Sequence, residues 1–301
     1  MQMGISFSQT HFLLFKEGSM KIFLAGCGTM GSGIAQTFAV NGHEVYMFDQ
    51  EMSFIDRGYG MIEKQLKRQV EKQRMTQEDA DAALARLHKT LEVKDAAEVD
   101  MVIEAIFENM EAKRAIYKEL DEVCKEDCLF CSNTSSLSIT EMARGFKHEA
   151  RFVGFHFFNP APVMKLIEVI RGNSSSDETV EKAFEIARAI GKDPVLVKEN
   201  AGFIVNRILV PMINEAADLY DRGIASAEDI DKAMRLGANH PMGPLELGDL
   251  IGLDIVLNIM NVLLDETGDP KYRPAVILRK MVRAGKLGRK SGQGFYDYTK
   301  K

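Results

Sequence analysis

The chain lacks several things, and each absence narrows its function. It has no basic excess: 38 lysines and arginines face 44 aspartates and glutamates, a formal net charge of −6. That balance argues against nucleic acid as a main partner, because neutralising phosphates needs a basic footprint. It has no run near the roughly 18 apolar residues of a membrane span, so no membrane partner is expected. It has no internal repeat and no low-complexity segment. Cysteine is scarce, with only Cys27, Cys124, Cys128 and Cys131. The last three have zinc-like spacing but no nearby histidine to complete a tetrahedral set, so no metal site is expected and buried structural thiols fit better. Reduced thiols suit a cytoplasmic location. The first 19 residues have neither the basic start of a secretion signal nor the arginines of an organelle-targeting helix. They read as a dispensable extension, with the fold beginning near Met20.

What is present is enough for two domains. The 301 residues are 46% apolar and 27% charged, the profile of a folded globular chain. From Lys21 onward, strand and helix patterns alternate, which predicts a mostly parallel α/β sheet. KIFLAG is the first strand, and residues 29–40 form a helix stopped by Asn41–Gly42. HEVYMFD follows as a strand, then a long polar helical stretch over about 51–88. Strands near 100–106 and 128–133 flank a helix at about 110–125. RFVGFHFF and VMKLIEVI form a strand pair joined through Asn159–Pro162, and after a helix at 177–190 PVLVKE closes the sheet. Past Asn200 the periodicity becomes helical. The expected organisation is an extension at 1–19, a Rossmann-type dinucleotide-binding domain at 20–201 and an all-α C-terminal domain at 202–301.

GCGTMG, residues Gly26 to Gly31, matches G-x-G-x-x-G, a weak signal by itself. Here it follows a strand, opens a helix and is answered by Asp49 at the end of the next strand, which is the context a dinucleotide site requires. Gly26 makes the turn, Gly28 leaves room for a pyrophosphate, and Gly31 lets helix and strand approach. Thr29 and Met30 complete the loop, and the helix N-terminus offers free N–H groups to phosphate. Asp49 suits the two ribose hydroxyls and would repel a 2′-phosphate, so NAD is preferred to its phosphorylated form.

A hydride transfer needs a group to take up or return a proton, and histidine titrates near working pH. Of the six histidines, His11 is in the extension, His43 is in a turn, and His88 and His148 sit among charges. His156 lies near the end of a sheet strand in FHFFNPAPVMKLIEVI, and Glu168 shares a face with Met164, Leu166 and Ile170. If the turn brings the strands together, the carboxylate orients one ring nitrogen and steadies the imidazolium, leaving the other nitrogen for substrate. A purely structural pair is the alternative reading. SNTSS follows a strand, where it serves either a ligand or a helix cap. Asn206 on an apolar helix is equally a satisfied core amide. Residues 63–74, EKQLKRQVEKQR, read either as an anion-binding helix or as a solvated face.

The stretches AGCGTMGSGIAQ, SNTSSLSIT, GFHFFNPAPVMKLIEVI, ENAGFIVNRILVPMINEA and NHPMGPLELGDLIGLD together resemble the L-3-hydroxyacyl-CoA dehydrogenase family. The resemblance runs from Met20 to Tyr298 and is strongest to short bacterial members acting on 3-hydroxybutanoyl-CoA. It implies an oxidoreductase interconverting (S)-3-hydroxyacyl-CoA and 3-oxoacyl-CoA with NAD. It implies His156 as catalytic base, Glu168 as its partner, Ser135 as the serine that binds the substrate's 3-oxygen, and Asn206 as a substrate-holding amide. Glu108, Lys113, Asn133, Ser135 and Asn159 match cofactor-lining positions. Lys72 matches a CoA-binding lysine, and Gln65 stands where relatives can carry a serine. The family also implies a homodimer formed through the helical domain. Two rivals stay open: a related dehydrogenase of sugar acids, and a non-catalytic NADH-binding protein.

Overall fold

The structure, a computed structural model, describes residues 18–299. Residues 1–17, and with them the reading of the extension and His11, lie outside the described residues. The chain forms two compact units, one ending at Glu199 and one starting at Asn200.

The first unit is built on an eight-stranded sheet in the order β3-β2-β1-β4-β5-β6-β7-β8. β1 (Lys21–Ala25), β2 (Glu44–Phe48), β3 (Leu87–Thr90), β4 (Met101–Glu104), β5 (Leu129–Ser132) and β6 (Phe152–Phe157) run parallel. β7 (Leu166–Arg171) is antiparallel to β6, and β8 (Asp193–Lys198) is parallel to β7. The six parallel strands have the doubly wound order whose connections switch sides between β1 and β4, where ligands bind at the carboxyl ends. Helices cover both faces, so the central strands read as continuous apolar runs: KIFLA, MVIE, LFCS and FVGFHF are buried almost throughout. The α/β class read from the sequence is present.

The helices begin where polar caps place them. α1 (Thr29–Val40) follows the glycine loop. α4 (Met110–Val123) starts at Asn109, whose side chain accepts the N–H of Ala112. α5 (Ile139–Ala143) and α6 (Asp177–Ala189) start at Ser138 and Ser176 in the same way.

The long helix expected over 51–88 is corrected. It divides into α2 (Met52–Glu71) and α3 (Gln77–Ala85), and ends in β3. Gln73 takes a left-handed conformation, φ 54°, and breaks the first helix. Thr76 then opens the second: its hydroxyl accepts the N–H of Asp79 and donates to the Asp79 carboxylate. Lys72 and Arg74 therefore stand beyond the helix end.

The second unit is all-helical: α7 (Val205–Asp221), α8 (Ala227–Gly237), α9 (Pro244–Ile251), α10 (Leu253–Thr267) and α11 (Val276–Arg283). Val210, Ile213, Leu245, Val256, Met260, Leu263 and Leu278 form its core. Two buried aspartates fix its tail. Asp231 accepts the N–H groups of Leu245 and Glu246 at the start of α9, and the Tyr296 hydroxyl donates to it at 2.8 Å. Asp249 accepts the N–H groups of Phe295 and Tyr296 and the hydroxyl of Tyr298. The aromatic tail is thus anchored by hydrogen bonds as well as by packing. Among the described residues, no single helix is long and apolar enough to cross a membrane.

Candidate active site

The glycine loop sits where β1 gives way to α1, and the three glycines answer to different neighbours. Gly26 has φ +103°, and a Cβ there would lie 2.6 Å from the Ala105 carbonyl oxygen. A Cβ on Gly31 would lie 1.8 Å from the Gly26 carbonyl oxygen. These two are glycines because the protein itself fills the space. A Cβ on Gly28 would meet nothing within 4 Å, and Gly28 and Thr29 are exposed. Gly28 is also the N-cap of α1 and leaves its first N–H groups uncapped. An open cradle at an uncapped helix start is what a pyrophosphate needs.

Asp49 lies just past the end of β2. One carboxylate oxygen accepts the Cys27 N–H at 2.9 Å and the other the Gln50 N–H at 2.8 Å. It therefore fixes the loop, and a carboxylate has further lone pairs with which to accept other donors. The Cys27 thiol is buried beneath; burial, then the Asp49 charge, push it up to about 12, so it stays a neutral thiol.

At the carboxyl ends of β4 and β5 a second cluster forms. Lys113 is 1% exposed and lies 2.5 Å from Glu104 and 3.2 Å from Glu108. Burial raises the Glu104 carboxyl, although the Lys113 ammonium and the Ser132 hydroxyl pull against it. Glu108 is also desolvated, yet its carboxyl is held below the usual range by Lys113, the Thr134 hydroxyl and the Ser135 N–H. One Glu108 oxygen gathers the loop: Thr134 Oγ1 at 2.6 Å, Ser135 N at 3.0 Å and Ser136 Oγ at 3.1 Å. Lys113 thus lies behind Glu108, away from the surface. The helix cap in this stretch is Ser138, whose hydroxyl accepts the Glu141 N–H, so Ser135 is not needed as one. Asn133 accepts the Phe157 N–H at 2.8 Å and ties the end of β5 to β6.

His156 and Glu168 are direct partners in the β6–β7 register. Nδ1 lies 2.8 Å from a Glu168 oxygen, with His156 6% and Glu168 1% exposed. The Phe158 ring packs on the imidazole, centroids 4.6 Å apart. Because β6 runs with β5, His156 sits near the same sheet edge as Ser135 and the glycine loop. The turn after β6 carries Asn159, which is exposed and lines a small cavity of about 70 Å³ together with Thr29, Gln65 and Pro160–Pro162.

In the helical unit, Asn206 is the second residue of α7 and half-buried. Its side chain makes no hydrogen bond among the described residues. Lys72 is exposed at the end of α2. The residue that sequence reasoning missed is Thr134, which bonds Glu108 and, through its hydroxyl, takes the N–H groups of Ser136 and Leu137. Its place inside SNTSS was the available signal.

A doubly wound sheet with a glycine cradle, an aspartate after β2 and a histidine at the same edge defines an NAD-dependent oxidoreductase. Residues 21–200 match the sequence model of the 3-hydroxyacyl-CoA dehydrogenase NAD-binding domain, and residues 202–298 match that of the C-terminal domain. The chain belongs to the 3-hydroxyacyl-CoA dehydrogenase family. It is 51% identical over 281 residues to a 3-hydroxybutyryl-CoA dehydrogenase of Clostridioides difficile, covering 93% of this chain and 100% of that one. It is 44% identical to the human mitochondrial hydroxyacyl-coenzyme A dehydrogenase, over 92% of this chain and 90% of that one. The crystal structure of (S)-3-hydroxybutyryl-CoA dehydrogenase from Ralstonia eutropha superposes with a TM-score of 0.90 at 46% identity, covering 94% of this chain and all of that one.

Proposed function

We propose that the protein interconverts (S)-3-hydroxybutanoyl-CoA and acetoacetyl-CoA with NAD(H), in fatty acid and butanoate metabolism. The observation that carries this reading is the buried His156–Glu168 pair at the carboxyl edge of a nucleotide-binding sheet.

The glycine loop and the first turn of α1 would hold the pyrophosphate and Asp49 the adenosine ribose, with Glu108, Asn133, Ser135 and Asn159 along the rest of the groove. When bound, NAD supplies the hydride acceptor. His156 does the proton work. In oxidation its Nε2 takes the proton of the 3-hydroxyl group as the C3 hydrogen leaves as hydride. Glu168 holds Nδ1–H, fixes the tautomer, and stabilises the imidazolium that forms. In reduction the imidazolium returns the proton to the 3-oxygen. Ser135 donates to that oxygen from a loop kept rigid by Glu108, and Asn206 offers its unengaged amide to the substrate.

The exposed Lys64, Lys67, Arg68, Lys72 and Arg74 give the CoA phosphates a basic strip. The helical unit leaves Ile208, Ile224, Leu236 and Val276 exposed, which supports a homodimer formed through it. Four free, buried thiols support a cytoplasmic setting.

The test is NADH oxidation followed with acetoacetyl-CoA and with C8 and C16 3-oxoacyl-CoA. Turnover is expected with the highest kcat/KM on the C4 thioester, falling through C8 to C16. No oxidation with any thioester would end the proposal, and a C16 optimum would end the short-chain assignment. Sedimentation at micromolar concentration checks the dimer.

A further inference from the structure

Lys192 is a buried cation with no counter-ion among the described residues. It stands between α6 and β8, after Gly191 at φ +73°, and is 7% exposed. Among the described residues it forms no ion pair. Its ammonium donates instead to two backbone carbonyls, Ala161 at 2.6 Å and Met164 at 2.8 Å. Burial, and then the Lys165 charge, lower its pKa. Burying an uncompensated charge is costly, so the site must need what the ammonium does there.

Both acceptors belong to the turn between β6 and β7. Within that turn, the Pro160 carbonyl accepts the N–H groups of Val163 and Met164, which closes it locally. The Ala161 residue is 2% exposed, so its carbonyl needs a partner inside the protein. On its other side the turn rests on α1: a Cβ on Gly33 would lie 3.2 Å from both Ala161 Cβ and Pro162 Cδ. The root of Lys192 is itself fixed, since its N–H bonds the Ala187 carbonyl and the next N–H bonds the Lys165 carbonyl. The turn is therefore gripped between the helix that opens the cofactor cradle and one lysine. Thr29 of the cradle and Asn159 of the turn line the same small cavity.

We propose that Lys192 is a positioning residue, whose ammonium holds the β6–β7 turn against α1 and so keeps His156 and Glu168 in register beside the cofactor cradle. A lysine fits because it carries three donors on a flexible stem and can satisfy two carbonyls at once. Small misplacements of reacting groups cost up to about 100-fold in rate. The inference rests on the role proposed for His156.

The experiment is a kinetic cycle on the full-length protein with Lys192→Met, Lys192→Arg, His156→Gln and the Lys192→Met/His156→Gln double. Lys192→Met keeps the stem and removes the donors. It is expected to lower kcat about 10- to 100-fold, with KM for acetoacetyl-CoA and Kd for NADH changed by less than about threefold. Lys192→Arg is expected to recover most of that loss. The double should be no slower than His156→Gln alone, because a residue acting through another adds nothing once that one is gone. Wild-type kcat in Lys192→Met, or a double whose loss is the product of the singles, overturns the proposal. If Lys192→Met does not fold, Lys192→Leu, which also has no donor, replaces it. Failure of both to fold also overturns the proposal, since the side chain would then serve the fold at large. If His156→Gln itself retains turnover, the reading of the site fails; if only Lys192→Met retains it, the clamp alone fails.

Discussion

Among its described residues the nucleotide-binding unit holds two buried histidine–carboxylate pairs that look alike in isolation. His148 Nδ1 lies 2.5 Å from Asp121, and His156 Nδ1 lies 2.8 Å from Glu168. All four residues are buried. Their settings differ. Asp121 also accepts the N–H groups of Lys147 and His148, so it ties α4 to the loop before β6, and the His148 ring packs on Phe130. His148 precedes β6, at the amino edge of a parallel strand. His156 is the fifth residue of β6, near the carboxyl edge, and its partner comes from a neighbouring strand. Pairing and burial alone do not mark chemistry, since a structural pair has both. Position in the sheet separates the two pairs, because the carboxyl ends of parallel strands are where loops open to ligands.

The largest expected difference is between the two histidines. His156→Gln should lose about 10²- to 10⁴-fold in turnover with NADH affinity unchanged, the usual weight of general acid–base catalysis. His148→Gln should keep turnover within about threefold and instead lower stability by about 1–3 kcal/mol, the cost of a disrupted buried hydrogen bond. Steady-state kinetics beside urea unfolding measure both. Equal kinetic losses in the two variants would dissolve the contrast.

The glycine loop gives a smaller version of the same comparison. Gly31→Ala puts a Cβ into the Gly26 carbonyl and should destabilise the fold by about 1–3 kcal/mol or more. Gly28→Ala meets no protein atom, so its thermal midpoint should stay near that of the unaltered protein while NADH Kd rises about tenfold or more. Fluorescence titration of NADH separates them, and an unchanged Kd in Gly28→Ala would remove the cradle from the cofactor.

The smallest effect concerns pH. Glu108 has its carboxyl depressed below the ordinary 4.5. A group whose folded pKa is depressed contributes stability above its unfolded value, and that contribution is lost as pH falls through the folded one. The SNTSS loop should therefore loosen only below about pH 4.5. Glu108→Gln should flatten that acid limb, as hydrogen exchange of the Ser135 amide would report. Glu104, raised by burial, has the opposite sign, gaining stability as pH falls, and cannot produce this limb; a limb that persists in Glu108→Gln would assign it to a different depressed carboxylate.

Much of the fold was legible because its signals are local. Gly26–Gly31 between an apolar run and a helix, Asp49 after the next strand, and the strand–turn–strand of 151–170 all declare themselves within a few residues. The break in the 51–88 stretch was also readable, from Thr76 and Asp79 three residues apart, a capping pattern that the polar run obscured. β3 was not. LHKT is short and polar enough to continue a helix, and it becomes a strand by pairing with Val45–Phe48. His148 was set aside as a residue among charges, whereas it is buried against Asp121, 27 positions away in sequence. Lys192 gave no signal, because its partners are backbone carbonyls about thirty residues away.

By itself the sequence determined the α/β class, NAD as the cofactor, the glycine turn between the first strand and helix, and the histidine near a strand end. These depend on chain periodicity, on glycine's freedom from a Cβ, and on ionisable side chains set in apolar strands. Only the tertiary structure decided that His156 faces Glu168 across two antiparallel strands, that Lys113 lies behind Glu108, and that Lys192 grips the turn. Such contacts join residues remote in the chain, and burial determines which polar groups must find one another.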